Sequence, residues 1–266
     1  MSQIDELFQQ LRATQKKAFM PFITAGDPDL EFTAELLKGL QEAGCHMCEV
    51  GIPYSDPIAD GPVIQASYSR ALNGGAKLDA ILGMLKSVNA EITMPLVTMI
   101  SYAIIWRVGL DAFLDKAIDA GVAGAIVPDM PVDESAEFAE KCKARDFSLI
   151  QLVTPTTPRE RALRIAQQSS GFIYYVSIAG ITGERTALPD DLSENVSWLR
   201  GETELPICVG FGISQPEHIE VLKPVADGMI VGSAIVRRIA AIESGTSREQ
   251  ASEDIKSFCQ KMLAVS

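Results

Sequence analysis

Two carboxylic acids lie on either side of a rigid loop in the segment from residue 49 to residue 62. Glu49 stands near the end of an apolar run, so its carboxyl group should be partly desolvated, which favours the neutral form. Asp60 follows in a loop restricted by prolines at positions 53, 57 and 62, where we expect better solvation and an ionised carboxylate. Two acids in different protonation states can divide proton donation from proton acceptance. The pattern predicts carbon–carbon bond cleavage or isomerisation without a metal.

The same spacing also allows a structural role for both acids. Glu49 would then pair with a cation, and Asp60 would be the acid of a turn. The choice depends on whether the fold brings the two carboxyl groups into one pocket.

Glycine-rich turns follow two later apolar runs. One is Gly210-Phe211-Gly212-Ile213-Ser214, and the other is Gly232-Ser233-Ala234, which opens a helical pattern. Glycines let backbone N–H groups approach an anion closely, and a helix N-terminus adds its dipole. The turns predict a phosphate site, over which Thr182 and Gly183 of the long loop 178–191 could close. Tight-turn geometry without a ligand is the alternative.

Apolar side chains near the predicted strand ends could form a substrate slot for a flat aromatic group between the acids. Filling the protein core also explains each of them taken alone. They are Phe22, Ile64, Ile100, Ile126, Leu152 and Phe211.

Eight short apolar runs alternate with amphipathic helical patterns, as a parallel sheet covered by helices requires. Eight such units in 266 residues predict an α/β fold, a closed (β/α)8 TIM barrel of typically ~250 residues rather than an open sheet. We expect one domain over residues 1–266, with catalytic groups at the carboxyl ends of the strands. The predicted strands are Ala18–Thr24, Met47–Gly51, Pro95–Ile100, Gly124–Val127, Ser148–Val153, Phe172–Ser177, Ile207–Gly210 and Gly228–Val231.

An extra N-terminal helix is expected before the first strand, around Ile4–Arg12, where it would cover the amino-terminal mouth of the barrel.

Helix start signals support the alternation of strands and helices. Asp27 before Pro28 predicts the N-cap of the next helix, and Thr157, Ser214 and Ser247 begin sequences with capping-box spacing.

Composition excludes several classes of function. The formal charge of −12 argues against a nucleic-acid partner, which needs a basic surface. No apolar run reaches the ~18 residues of a membrane span, and the first residues lack the apolar segment of a secretory signal. We therefore expect a cytoplasmic protein without a membrane partner, whose five cysteines are reduced.

Metal and histidine chemistry has little support in the sequence. Two histidines in the whole chain argue against a histidine triad or a three-histidine metal site. Cys45 and Cys48 have CxxC spacing, but a zinc site would need a second pair of ligands, and the motif enters a strand rather than a helix. We interpret these cysteines as structural and expect no metal.

Segments spread along the whole chain carry a family resemblance. They are Pro21-Phe22-Ile23-Thr24-Ala25-Gly26-Asp27-Pro28, the motif from Glu49 to Gln65, Pro128-Asp129-Met130-Pro131, Tyr174-Tyr175-Val176-Ser177, Gly180-Ile181-Thr182-Gly183, Gly210-Phe211-Gly212-Ile213-Ser214 and Val231-Gly232-Ser233-Ala234. Through these segments the chain resembles the tryptophan synthase alpha chain. The motif that begins at Glu49 is highly specific to that family.

The resemblance implies retro-aldol cleavage of indole-3-glycerol phosphate to indole and glyceraldehyde 3-phosphate. Glu49 matches the family's catalytic acid/base, and Asp60 matches the second carboxylate, which accepts the indole N–H hydrogen bond. Tyr174 matches a tyrosine with a positioning role, and Thr182 would help to order the lid and Asp60. The residues that match the phosphate site are Gly183, Gly212, Gly232 and Ser233.

The family's alpha chain docks on a beta chain in an alpha2-beta2 complex, and the beta chain holds pyridoxal phosphate and joins indole to serine. The resemblance implies no cofactor in this chain and passage of indole through a tunnel. Asp56, Pro57 and the segment Ser101–Arg107 match the docking side. Ala103 stands where the family commonly has Asn, and Ile104 follows it, so details of docking or signalling would differ.

Two other functions stay open at the level of sequence. The chain could be a catalytically weak activator of a beta chain, although two intact acids argue against a purely regulatory role. It could also be another phosphate-sugar barrel enzyme, such as an isomerase or lyase, which substrate tests would separate.

Overall fold

Parallel strands form the centre of the structure, a computed structural model that describes residues 1–57, 60–177 and 192–266. The strands of the described residues are β1 (Ala18–Thr24), β2 (Cys48–Gly51), β3 (Leu96–Met99), β4 (Gly124–Ile126), β5 (Ser148–Ile150), β6 (Leu152–Val153), β7 (Ile173–Val176), β8 (Ile207–Gly210) and β9 (Gly228–Val231). They pair in the order β5-β4-β3-β2-β1-β9-β8-β7-β6, and every pair is parallel.

The two outermost strands of this order, β5 and β6, are successive pieces of one chain segment separated by Gln151. The sheet is therefore curved into a nearly closed barrel, and the predicted TIM barrel is confirmed. The predicted strand Ser148–Val153 is divided in two at Gln151, which the apolar pattern did not indicate.

Helices follow the strands and cover the outside of the barrel. Within the described ranges they are α1 (Gln3–Ala13), α2 (Leu30–Glu42), α3 (Pro62–Asn73), α4 (Leu78–Asn89), α5 (Tyr102–Val108), α6 (Leu110–Asp119), α7 (Ala136–Lys143), α8 (Arg159–Gln168), α9 (Leu192–Glu202), α10 (Pro216–Leu222), α11 (Ser233–Ala240) and α12 (Arg248–Leu263). Short 3-10 turns span Val132–Glu134 and Ala241–Ser244.

Alternate residues of each strand face opposite sides of the sheet, which divides the core into two layers. In β1, Met20 and Phe22 belong to an inner cluster within the barrel. Phe19 and Ile23 pack in an outer cluster between the sheet and the helices. Burial of each large apolar side chain contributes roughly 1.5–3 kcal/mol, so these two layers are the main source of stability.

Helix α1 closes the amino-terminal mouth of the barrel, as predicted. Its capping box joins Ser2 and Asp5, and Ile4, Phe8 and Leu11 are buried in the inner cluster. The amphipathic stripe of this helix therefore completes the bottom of the core.

The predicted N-cap of α2 is wrong by two residues. Asp29, not Asp27, caps the helix by accepting a hydrogen bond of 2.9 Å from Phe32 N. Asp27 is instead buried, and its two carboxylate oxygens lie 2.8 and 2.7 Å from Nε and Nη2 of Arg70. This bidentate pair joins the carboxyl end of β1 to α3, the helix that follows Asp60.

Of the three predicted capping boxes, one begins a helix with its side chain as expected. The prediction for Ser214 is wrong, because α10 has no side-chain hydrogen bond at its N-cap, which is Gln215. Ser247 caps α12 by accepting from Gln250 N at 3.1 Å. The prediction for Thr157 is wrong, because its hydroxyl accepts from Thr154 N within the preceding turn. Helix α8 begins after Pro158 instead.

Candidate active site

A single cavity at the carboxyl ends of the strands contains most of the residues that the sequence predicted for the site. It encloses about 480 Å³ of space not filled by atoms, including its opening to solvent. The residues around it are Phe22, Glu49, Asp60, Ile64, Met99, Tyr174, Phe211, Gly212, Ile213, Ile230, Gly232 and Ser233. Both acids therefore face the same space. Thr182 and Gly183 lie outside the described residues.

Glu49 occupies the middle of the sheet, where β2 pairs with Phe22 of β1 and Val97 of β3. Its side chain is 1% exposed, and among the described residues neither carboxyl oxygen has a hydrogen-bond partner. Burial, followed by the negative charge of Asp60, raises the pKa of Glu49 well above its usual range. The cavity therefore favours the neutral form of Glu49, which has a proton to donate.

Asp60 is also buried, at 6% exposed against 1% for Glu49, so it is better solvated than Glu49, as expected, but by a small margin. Asp60 is buried because α3 packs against the barrel and brings the end of the preceding loop into the cavity. Gln65 Nε2 donates to the Asp60 carbonyl at 2.7 Å and holds the turn. Burial raises the pKa of Asp60 to about 6. Asp60 is thus ionised at neutral pH, beside a neutral Glu49.

Apolar side chains form the walls between the two acids. Tyr174 and Phe211 meet edge to face, with ring centroids 5.9 Å apart and planes at 74°. Phe22 and Ile64 complete the slot. Such a space suits a flat aromatic ring, which aromatic and branched side chains contact well.

Three apolar residues of the predicted slot lie elsewhere, and three others take their place. Ile100 packs in the outer cluster, while Ile126 and Leu152 pack in the inner cluster away from the cavity. The residues that sequence reasoning missed are Met99, Ile213 and Ile230. The alternation of side chains along a strand could have predicted Met99 and Ile230, since each belongs to the set of residues in its strand that faces the inside of the barrel.

Two glycines at strand ends provide room for the aromatic walls, a feature that the sequence analysis missed. A Cβ on Gly51 would lie 2.6 Å from Cζ of Phe22. A Cβ on Gly210 would lie 2.2 Å from Oη of Tyr174. Side chains at these positions would therefore displace the rings that form the slot.

The glycine turns after β8 and β9 form part of the cavity wall. Phe211 and Gly212 both adopt left-handed backbone conformations, with φ of 74° and 76°. This conformation is strained for phenylalanine and is typical of functional sites. Gly232 and Ser233 open the eight-residue helix α11, whose dipole favours an anion at that end. The wall suits a phosphate group.

The residues predicted to dock a partner lie outside the cavity. Asp56 is exposed and Pro57 is half-buried, in the loop before Asp60. The segment Ser101–Arg107 comprises the N-cap and nearly all of α5, where the Trp106 side chain is 69% exposed. Partner binding at these residues stays a prediction.

The described residues contain no group of three or more potential metal ligands. Cys45 and Cys48 of the CxxC sequence are both buried, and neither forms a disulfide. A hydrogen bond with Cys259, followed by burial, raises the pKa of the Cys45 thiol, and burial, followed by the neighbouring Glu49, raises the pKa of the Cys48 thiol, so neither is a reactive thiolate. In the described part of the chain, no helix is long and apolar enough to cross a membrane.

A parallel barrel with an acid pair and a glycine-turn wall that suits an anion, all at the carboxyl ends of its strands, is typical of a TIM-barrel enzyme. Residues 8–266 match the family model of the tryptophan synthase alpha chain, and the chain belongs to that family, whose members are lyases.

Curated relatives and solved structures agree over the length of the chain. The tryptophan synthase alpha chain of Rhodopirellula baltica is 53% identical over 98% of both chains. The solved alpha subunit from Legionella pneumophila is 34% identical, with a TM-score of 0.89 over 99% of both chains. A structure of the tryptophan synthase α2β2 complex from Pyrococcus furiosus matches with 37% identity and a TM-score of 0.86, over 93% of this chain and 98% of that one.

Replacement of Gly212 by Val tests the anion-binding wall. We expect Gly212→Val to weaken binding of glycerol 3-phosphate by at least about tenfold, since the backbone can no longer approach the phosphate closely. Titration calorimetry measures the affinity, and urea unfolding measures stability.

Gly245→Val is the matched control. Gly245 has a φ of 98° and open space around it, so valine there brings similar backbone strain, roughly 1–2 kcal/mol or more, at a residue that does not line the cavity. The control should lose stability but keep its phosphate affinity. Wild-type affinity in Gly212→Val would contradict the assignment of this wall.

Proposed function

We propose that the chain is the subunit that cleaves indole-3-glycerol phosphate to indole and glyceraldehyde 3-phosphate by a retro-aldol reaction. The observation that carries this proposal is the shared cavity, in which a neutral Glu49 and an ionised Asp60 border an aromatic slot. Membership of the alpha chain family supports it. The glycine turns line the same cavity, and their backbone suits the glycerol phosphate end of this substrate.

Glu49 is the group that moves protons in the proposed reaction. Its neutral carboxyl donates a proton to C3 of the indole ring, which turns the ring into a leaving group. The resulting carboxylate takes the proton of the adjacent glycerol hydroxyl, a carbonyl forms, and the electrons of the breaking carbon–carbon bond return to the ring. The proton given and the proton taken balance, so Glu49 ends the cycle neutral.

Asp60 stabilises the charge that develops during this transfer. Protonation at C3 places positive charge on the ring, and the ring N–H becomes a stronger hydrogen-bond donor. An ionised carboxylate in a desolvated cavity interacts with that charge more strongly than in water. Tyr174 and Phe211 position the ring, and the glycine turns anchor the phosphate.

Docking on a beta chain is part of the proposal. The Pyrococcus furiosus structure is one of the α2β2 complex of that organism's tryptophan synthase. We propose a corresponding complex for this chain, in which the partner holds pyridoxal phosphate and receives indole. We place three residues at the contact, namely Asp56, Pro57 and the exposed Trp106 of α5.

The five buried free cysteines are consistent with a reducing compartment, and we propose that the protein is cytoplasmic. We also propose that residues 1–266 form one domain.

A lyase assay with indole-3-glycerol phosphate tests the function directly. We expect slow release of indole by the isolated chain and faster release when a cognate beta chain is added. No indole in either condition would favour an activator subunit without its own chemistry. Turnover of a different phosphate sugar would favour the isomerase alternative.

Glu49→Gln is expected to abolish cleavage, a loss of at least ~10²-fold, because it removes the transferable proton and retains the shape. Since Glu49 is already neutral in the folded protein, the thermal unfolding temperature should change little. Glu91→Gln, at an exposed ion pair with Lys38, is the control and should keep full activity. Wild-type turnover by Glu49→Gln would refute the assigned role.

Asp60→Asn should lower turnover by at least ~10²-fold, in the range for loss of one charge-stabilising group. In the wild type, turnover should fall as the pH drops through about 6, where Asp60 takes up a proton. This acid limb should be absent from the variant. A pH profile of kcat/KM measures both effects, and an unchanged limb in Asp60→Asn would contradict the assignment.

The same variant should not be less stable at pH 7. The native pKa of about 6 lies above the unfolded value of ~3.9, so ionising Asp60 costs stability as the pH rises between the two values. Asparagine is neutral and avoids this cost. Thermal unfolding separates this expectation from a general loss of structure.

A further inference from the structure

His218 is a buried histidine that the proposed mechanism does not use. It is the third residue of α10, and its side chain is 5% exposed. Its Nδ1 accepts a hydrogen bond of 3.2 Å from the backbone N–H of Ser214, whereas Nε2 is buried and has no partner among the described residues. Because Nδ1 accepts, the proton of the ring is on Nε2. A buried imidazole with one polar contact requires an explanation.

The contact fixes the end of the turn that follows β8. Ser214 precedes the N-cap of α10, Gln215, and the His218 side chain reaches back to it from the first turn of the helix. The third helical residue makes the same kind of return contact in a capping box. The turn from residue 210 to residue 214 is thereby attached to α10 at its carboxyl-terminal end.

Ser177, the residue after β7, holds the other end of this turn. Its backbone N–H donates to the Gly210 carbonyl at 3.0 Å, and its hydroxyl donates to the Phe211 carbonyl. Gly210 also pairs with Ile230 of the neighbouring strand β9. The turn is therefore anchored at both ends, by Ser177 and by His218.

Two backbone N–H groups between these anchors are available to a ligand. The N–H groups of Gly212 and Ile213 donate to no acceptor within the described ranges, and both residues line the cavity. Unpaired N–H groups of a tight turn suit an anion.

The conformation of this turn depends on its anchors. The positive φ of 74° is strained for Phe211, and such strain persists only where the surrounding structure holds it. Without the contact from Ser214 to His218, the turn could relax and direct its N–H groups elsewhere. The anchor therefore acts on the ligand through the backbone, since His218 does not itself line the cavity.

We propose that His218 is a positioning residue, which holds the Ser214 N–H and so keeps the N–H groups of Gly212 and Ile213 directed at the phosphate group of the substrate. The inference rests on the proposed function, and it adds to that function a residue outside the cavity. Its tests use glycerol 3-phosphate and indole, which represent the two ends of the substrate.

His218→Leu removes the acceptor and keeps much of the side-chain volume. We expect the affinity for glycerol 3-phosphate, measured by titration calorimetry, to fall at least about fivefold, which corresponds to the loss of one ordinary hydrogen bond. The affinity for indole, which has no phosphate, should stay the same. Unchanged affinity for glycerol 3-phosphate, or an equal loss for both ligands, would overturn the proposal.

His46→Leu is the matched control, because the other histidine of the chain makes the same kind of contact elsewhere. Nδ1 of His46 accepts from Phe19 N at 3.1 Å near the start of β1, toward the amino-terminal end of the barrel. This variant should lose stability in urea unfolding and keep its affinity for glycerol 3-phosphate. A loss of affinity equal to that of His218→Leu would show an effect of general stability and overturn the inference.

His218→Asn tests the acceptor itself. The Oδ1 atom of asparagine is bonded to Cγ, as Nδ1 is in histidine, and it can accept from the Ser214 N–H. We expect an affinity for glycerol 3-phosphate close to that of the wild type. A loss as large as that of His218→Leu would contradict the assigned role.

NMR of the wild type tests the contact without any variant. The Ser214 amide proton should exchange slowly with solvent, and the imidazole nitrogen shifts of His218 should place the proton on Nε2. Fast exchange of that amide, or a proton on Nδ1, would overturn the inference even if His218→Leu did not fold.

Kinetics separate this inference from the proposed function. In an active enzyme, His218→Leu should raise KM for indole-3-glycerol phosphate and change kcat little, since a phosphate anchor binds substrate and transition state alike. A fall in kcat with unchanged KM would overturn the role of His218. Absence of indole release by a wild-type chain that binds glycerol 3-phosphate would refute the proposed function, and the affinities would still decide the inference.

Discussion

Burial of two carboxyl groups in one small cavity is the constraint on which the rest of the site depends. Water would keep both acids ionised, and neither could then hold a proton near neutral pH. Removal of water raises both pKa values, and it raises that of Glu49 further, because this residue is deeper and faces the charge of Asp60. The cavity thus makes one of two similar carboxyl groups a proton donor and the other a charged hydrogen-bond acceptor. The same low dielectric strengthens the interaction of the acceptor with any positive charge that forms between them.

This burial costs stability, and the surrounding barrel offsets the cost. Two apolar layers enclose the strands, and the Asp27–Arg70 ion pair and the contact between Thr24 and Ser67 fasten α3 to β1. The loop that carries Asp60 is thereby held at both ends by regular structure. The glycines at positions 51 and 210 leave room for the aromatic rings of the cavity, which side chains there would displace. The strained backbone of Phe211 belongs to the same cavity wall.

Some of the unsatisfied buried polar atoms lie close to the place where the chemistry is proposed. Among the described residues, seven buried side-chain polar atoms lack a hydrogen-bond partner, and three of these are the two Glu49 oxygens and the Tyr68 hydroxyl. Buried groups in this state are costly unless a ligand or a changed protonation state completes them. Their place beside one cavity is therefore consistent with a site that is complete only when its substrate is bound.

The sequence by itself determined the barrel, the extra helix α1, the two acids and the glycine turns, because apolar periodicity and turn chemistry depend on neighbouring residues. Only the tertiary structure decided that Asp60 is buried, that Asp27 pairs with Arg70 rather than capping α2, and that Met99 and Ile230 replace Ile100 and Ile126 at the cavity. These features arise from contacts between segments far apart in the chain. Solvation and ring packing are properties of such contacts, which no local pattern encodes.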